Sequence, residues 1–140
     1  MVQTTESTAE EIESGVIREL ESSGFGDDYL ILHQRTDIPD LMRTMDVMIF
    51  PSLNEGLGIV AIEAQAAGTH CLMSEGVPEG AVISNYAERM SLERSPEEWA
   101  EKAVAMCEDT SPFDGSNLEQ WDMKNVVNEL LGYYRKELTQ

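Results

Sequence analysis

The chain has 140 residues and a formal net charge of −18, from 27 acidic against 9 basic side chains, and 41% of its residues are hydrophobic. That length fits one domain with one core. The acidity argues against nucleic-acid binding and against docking on an anionic membrane face by this domain, and the longest apolar run, Val47–Phe50, is far too short to span a bilayer.

From the start, Met1 to Glu13 is polar and acidic, with neither the basic flank nor the apolar stretch of a signal peptide. Thr8 and Glu11 make a capping-box pattern, and Ile12, Val16, Ile17 and Leu20 then share one face, predicting a first helix. Gly24-Phe25-Gly26 breaks it, Asp27-Asp28 reads as a turn, and Tyr29–Leu32 reads as a short buried strand. Asp37 and Pro39 bracket a second helix start, with Leu41, Met42 and Met45 on its apolar side. Val47–Phe50 is a second buried strand, stopped by Pro51.

The loop Ser52–Gly58 leads into a helix over Ile59–Ala67, where Ala61, Ala64 and Gly68 allow close approach to a sheet. Thr69–Met73 and Ala87–Leu92 read as further strands. Ser95-Pro96-Glu97-Glu98 is a helix start with an N-cap serine, proline at the first helical position and glutamate at the third. Trp99, Ala100, Ala103, Val104 and Cys107 form the expected buried face of that helix. A turn-rich loop over Asp109–Ser116 precedes a last helix from about Asp122. Its expected staple is Trp121 with Val126, followed by Val127, Leu130, Tyr134 and Leu138. Short continuous apolar strands alternating with helices predict an α/β fold, a Rossmann-like parallel sheet with helices on both faces. In such sheets ligands bind at the carboxyl ends of the strands, where the loop Ser52–Gly58 falls.

That loop carries the chemistry. Gly56 and Gly58 expose consecutive backbone N–H groups at the positive end of the following helix, an arrangement that suits a phosphate or diphosphate. Glu55 projects just ahead of these donors, and Glu63, in the second turn, can accept two hydrogen bonds from a ribose diol. Taken only as glycines before a helix, the same residues make an ordinary strand-to-helix turn, and Glu63 alone is an ordinary solvated helix residue.

The segment Phe50-Pro51-Ser52-Leu53-Asn54-Glu55-Gly56-Leu57-Gly58-Ile59-Val60-Ala61-Ile62-Glu63-Ala64-Gln65-Ala66-Ala67-Gly68 resembles the Glu, seven residues, Glu motif of family-four retaining glycosyltransferases of the GT-B fold. The flanks, Arg35–Val47 and Ser91–Ala100, resemble the members that build capsular and exopolysaccharides. The resemblance covers nearly the whole chain, from about Ile12 to Leu138, and implies one partial donor-binding domain over residues 1–140. It implies that Glu55 contacts donor-sugar hydroxyls near the reacting carbon. Backbone amides of Gly56, Leu57 and Gly58 would hold the diphosphate, and Glu63 the ribose. His33-Gln34-Arg35 would lie beside the base, with Arg35 the cation near the loop. The implied donor is a nucleoside-diphosphate sugar, most often a UDP sugar, used without a metal or another cofactor.

Relative to that family, the acceptor-binding domain is absent, as is the opening of the donor domain with its diphosphate-clamping Arg and Lys. No Lys or Arg occurs between Arg43 and Arg89. Lost charge-assisted contacts, each worth about 1.5–3 kcal/mol, weaken donor binding, so little turnover is expected of this chain alone. A separate N-terminal acceptor half is the expected partner, and any peripheral membrane contact would run through it. Alternatives of another class are a non-catalytic nucleotide-sugar or partner-binding module and an interaction remnant without a ligand; a GT-B epimerase is more remote.

Other residues have structural expectations. Cys71 and Cys107 form neither a disulfide framework nor a zinc pattern, which suits a reducing cytoplasm. His33 and His70, Trp99 and Trp121, and the eight methionines are expected in packing. Glu97, Glu98 and Glu101 make a solvated helix face. Ser52 either faces the ligand or, the preferred expectation, satisfies strand-end backbone. Tyr133 and Tyr134 are expected to pack against the missing domain.

Overall fold

A computed structural model describes residues 9–24, 26 and 28–137. Thr8 of the expected capping box, Phe25, Asp27 and Leu138 lie outside them. The chain divides into two compact units, Met1–Thr36 and Asp37–Gln140.

The first unit holds helix α1 (Ala9–Ser22), whose first turn carries Glu10 and Glu11, the sign that a helix N-terminus favours. Ile17 and Leu20 are half-buried, while Ile12 and Val16 remain exposed. His33 lies 3.4 Å from a Glu13 carboxylate oxygen. The strand expected at Tyr29–Leu32 does not form: these residues carry no ladder, and Leu30 is 78% exposed. Four apolar residues become a strand only when a neighbour supplies hydrogen-bond partners, and none does so here among the described residues.

The second unit is built on three parallel strands, β1 (Val47–Phe50), β2 (His70–Ser74) and β3 (Ala87–Met90), in the order β1-β2-β3. Val47 pairs with His70 and Phe50 with Met73 in one ladder, Cys71 with Ala87 and Ser74 with Met90 in the other. Every residue of β2 is buried, as the central position requires. Its alternation divides the core. Cys71 and Met73 face α2 (Ile38–Arg43) and α3 (Ile59–Ala66), packing with Met42, Ala61, Ile62 and Ala64. Leu72 faces α4 (Pro96–Cys107), packing with Trp99, Ala103 and Met106. Helices therefore cover both faces of the sheet. Burial pushes the Cys71 thiol up to about 12.

Small residues let α3 lie close: Ala61 and Ala64 are fully buried. Beside them Gln65, also fully buried, gives its amide hydrogens to the carbonyls of Ala61 (2.8 Å) and Ala81 (2.7 Å). Its amide oxygen accepts from the Ile83 and Ser84 backbone N–H groups at 2.9 and 3.1 Å. One side chain thus ties α3 to the connection between β2 and β3, satisfying backbone groups that would otherwise be orphaned in the core.

Helix α4 starts as expected: Ser95 accepts from the Glu98 N–H, and Glu98 returns a bond to the Ser95 N–H, completing a capping box. Its buried face differs from the expected one. Trp99, Ala103 and Met106 are buried, whereas Ala100, Val104 and Cys107 are exposed. Those two sets lie one residue apart, about 100° around the helix, and a flat sheet covers only one stripe. Trp99 donates its indole N–H to the Ser91 carbonyl at 3.2 Å. Trp121, half-buried, packs against the α3 side of the core. Both tryptophans are packing residues in this structure. Among the methionines, Met42, Met73 and Met106 are buried, but Met45 and Met123 are exposed.

At the amino end of β2, His70 stacks on Tyr86 with ring centroids 4.0 Å apart, and Tyr86 meets Phe113 edge-on at 5.0 Å. The Tyr86 hydroxyl donates to the Ser111 carbonyl and the Asn85 amide to that of Pro112, at 3.1 and 3.0 Å. This pins the turn-rich loop, and His70 serves packing. The last helix, α5 (Met123–Glu137), forms as predicted, yet Val127, Leu130, Leu131 and Tyr134 are exposed. No helix among the described residues is long and apolar enough to cross a membrane.

Candidate functional site

The loop Ser52–Gly58 leaves the carboxyl end of β1 and enters α3. Gly58 is the N-cap of α3, with φ +77°, in the left-handed region that suits glycine. Its site is also tight, because an added Cβ would come within 2.7 Å of Val77 Cγ1. At Gly56, by contrast, a Cβ would meet nothing within 4 Å. The first N–H groups of α3 have no intrahelical acceptor, as at any helix start, and no acidic side chain lies in that first turn.

The loop rests on the turn after β2. The Glu55 N–H donates to the Gly76 carbonyl at 3.0 Å. Gly76 has no room for a side chain, since a Cβ would stand 2.5 Å from the Ser52 carbonyl oxygen and closer still to that of Leu53. Ser74, fully buried at the end of β2, donates its hydroxyl to the Ser52 carbonyl. Ser52 in turn donates its hydroxyl to Glu55 Oε1 at 2.8 Å. The expectation that Ser52 satisfies backbone is therefore corrected: its donor goes to a carboxylate three residues on, because the turn brings that carboxylate back over the strand end.

Glu55, Leu57 and Gly58 line one hollow of about 490 Å³ with Phe50, Ile59 and Val60. Glu63, exposed on α3, lines a different hollow of about 250 Å³ with Ile38, Pro39, Met42, Arg43, Ala66 and Ala67. The two glutamates thus stand at separate hollows, with the N-terminal turns of α3 between them. Gly56 is exposed on the loop. Arg35 belongs to the first unit. Sequence reasoning missed Arg43, the cation beside the Glu63 hollow, whose guanidinium also holds Asp40 at 2.8 Å. It also missed Ser74 and Gly76; a Ser-Glu-Gly turn directly after a buried strand was the available signal.

Three parallel strands covered by helices on both faces, with a glycine-bearing loop entering a helix at the carboxyl end of the sheet, define an α/β domain of the Rossmann-like class. Within that class, the sequence pattern of the family described as Glycosyl transferases group 1 matches residues 7–109, and the chain belongs to this family. It is 36% identical over 113 residues to EpsF of Bacillus subtilis (strain 168), a provisionally assigned glycosyltransferase, covering 76% of this chain and 29% of that protein. It is 33% identical over 64 residues to the UDP-Gal:alpha-D-GlcNAc-diphosphoundecaprenol alpha-1,3-galactosyltransferase of Escherichia coli, covering 46% of this chain and 16% of that one. A D-inositol 3-phosphate glycosyltransferase of Mycobacterium ulcerans (strain Agy99) is 24% identical over 120 residues, 79% of this chain and 26% of its own. The chain therefore spans less than a third of these relatives. No solved structure matches it significantly.

Proposed function

We propose that this chain is the donor-binding domain of a retaining glycosyltransferase of polysaccharide assembly, and that it binds a nucleoside-diphosphate sugar, a UDP sugar in the first instance. The observation that carries this is the joint geometry of loop and helix: a carboxylate held at the loop by Ser52, then the open N-terminal turn of α3 behind a left-handed Gly58. Membership of the glycosyltransferase family supports the same assignment.

On this view the diphosphate sits at the backbone N–H groups of Gly56, Leu57 and Gly58, where the helix dipole favours negative charge and steadies the leaving group. Glu55 takes hydroxyls of the donor sugar. Glu63, one turn further along α3, accepts from the ribose. Arg43, beside Glu63, offsets some of the surrounding acidity. The donor needs no metal on this reading, and the acceptor is held outside these 140 residues.

Calorimetric titration of the purified chain with UDP and UDP sugars tests this. Saturable binding is expected, weakened about tenfold or more by Glu63→Ala, the cost of losing charge-assisted bonds. A folded sample giving no heat at millimolar ligand overturns the proposal. The exposed apolar side of α5 favours a second role, a partner-binding module without catalysis. Nucleotide binding with no sugar transfer when the N-terminal half is supplied would decide for it.

A further inference from the structure

A glutamate on a loop has three side-chain torsions to fix before it can present its carboxylate in one direction, and nothing in the Ser52–Gly58 segment does so through charge. The nearest lysine or arginine in sequence on either side is Arg43 or Arg89. Among the described residues, the one side chain that donates to the Glu55 carboxylate is Ser52, at 2.8 Å. Ser52 is held in its turn. Its carbonyl accepts from the hydroxyl of Ser74, a fully buried residue at the end of the central strand. The Glu55 N–H closes the loop onto the Gly76 carbonyl at 3.0 Å. The carboxylate is thus referenced to β2, the most rigidly packed strand of the sheet, through two hydroxyls in series.

We infer that Ser52 is a positioning residue for Glu55, aiming its carboxylate at the donor sugar, with Ser74 as the anchor that fixes Ser52. A carboxylate offers about four lone-pair sites. The Ser52 hydroxyl occupies one of them on Oε1 and leaves Oε2 and the remaining sites for sugar hydroxyls. A hydrogen bond to an ionised acceptor is stronger than a neutral one, so it holds this geometry against solvent. The inference rests on the proposed donor site. It goes beyond it by assigning to Ser52 and Ser74 an effect on the sugar and none on the nucleotide.

The test is the ratio of affinities for UDP sugar and for UDP, measured by calorimetry on the whole chain. Ser52→Ala is expected to lower that ratio about 3–10-fold, the range of one hydrogen bond, while UDP affinity stays within about twofold. Ser52→Thr keeps the hydroxyl and restores the ratio. In a Glu55→Ala background, adding Ser52→Ala changes nothing further, because its target is gone. Ser74→Ala lowers the ratio in the same direction and serves if the Ser52 variant unfolds. An unchanged ratio in Ser52→Ala, or an equal loss with Glu55 already removed, overturns the inference while leaving the donor site intact. Absence of UDP binding by the unaltered chain overturns the donor site, and the inference with it.

Discussion

The loop Ser52–Gly58 and the helix α5 carry equally clear sequence signals, but the structure treats them differently. The loop is gripped by Ser74, Gly76 and Val77 from a neighbouring part of the core. Helix α5 has a well-formed apolar side that stays largely uncovered among the described residues, with Tyr134 67% exposed and Leu130 49% exposed. Periodicity states that a helix has an apolar stripe; it does not state that a partner is present to cover it. The loop's order comes from contacts that its own residues do not announce, and the helix's exposure comes from contacts that it does not find.

The sharpest way to break this comparison is Gly76→Ala. The added methyl overlaps two carbonyl oxygens of the loop, and backbone cannot yield as a flexible side chain can. A loss of about 3 kcal/mol or more is expected, the upper end of overpacking costs, read as a fall in the urea midpoint. Gly56→Ala is the internal control. Its methyl enters open space, so its effect should stay within about 0.5 kcal/mol. Equal effects at the two glycines would mean that the loop does not rest on the turn after β2.

Much of the fold was legible because its signals are local. Val47–Phe50 forms β1 with the bounds its apolar run and Pro51 set, and Ser95-Pro96-Glu97-Glu98 gives the capping box of α4. The strand expected at Tyr29–Leu32 failed where the signal was an apolar run alone, since ladder partners lie elsewhere in the chain. The α4 face was half legible. Trp99 and Ala103 are inside, but choosing Met106 over Val104 and Cys107 required knowing the direction from which the sheet approaches. At the candidate site the strand-to-helix turn and the helix start at Gly58 were legible, because glycine spacing ahead of a helix is a local signal. The seat formed by Ser74 and Gly76, some twenty residues away, was not, because that proximity exists only once β1 and β2 lie side by side.

A smaller effect sharpens the contrast at α4, where the cap is local and should respond locally. Ser95→Ala is expected to cost about 1 kcal/mol, the usual value for an N-cap, seen in thermal melts near neutral pH. The Glu98 carboxyl is held below the ordinary value of 4.5, first by the Ser95 backbone N–H and then by Arg94. A depressed folded value means that its contribution is complete above the unfolded value and drains away as pH falls through the folded one. Glu98→Gln should therefore be less stable than the parent at neutral pH, with the gap closing in acid below about 4.5. A gap that widens in acid would reverse the sign and remove the capping box as its cause.

The smallest effect is expected on α5, at Leu130→Ala. Truncating a fully buried leucine such as Leu72 typically costs about 3–5 kcal/mol, through lost transfer energy and the cavity left behind. Leu130, half exposed, leaves no enclosed cavity and loses little burial, and alanine is the better helix former, so a change under about 1 kcal/mol is expected. Chemical denaturation of both variants, run at several protein concentrations, measures the contrast. Should Leu130→Ala cost as much as Leu72→Ala, the apolar side of α5 is covered in solution. A cost that grows with protein concentration would place that cover on a second copy of the chain, and a constant cost would place it within the chain itself.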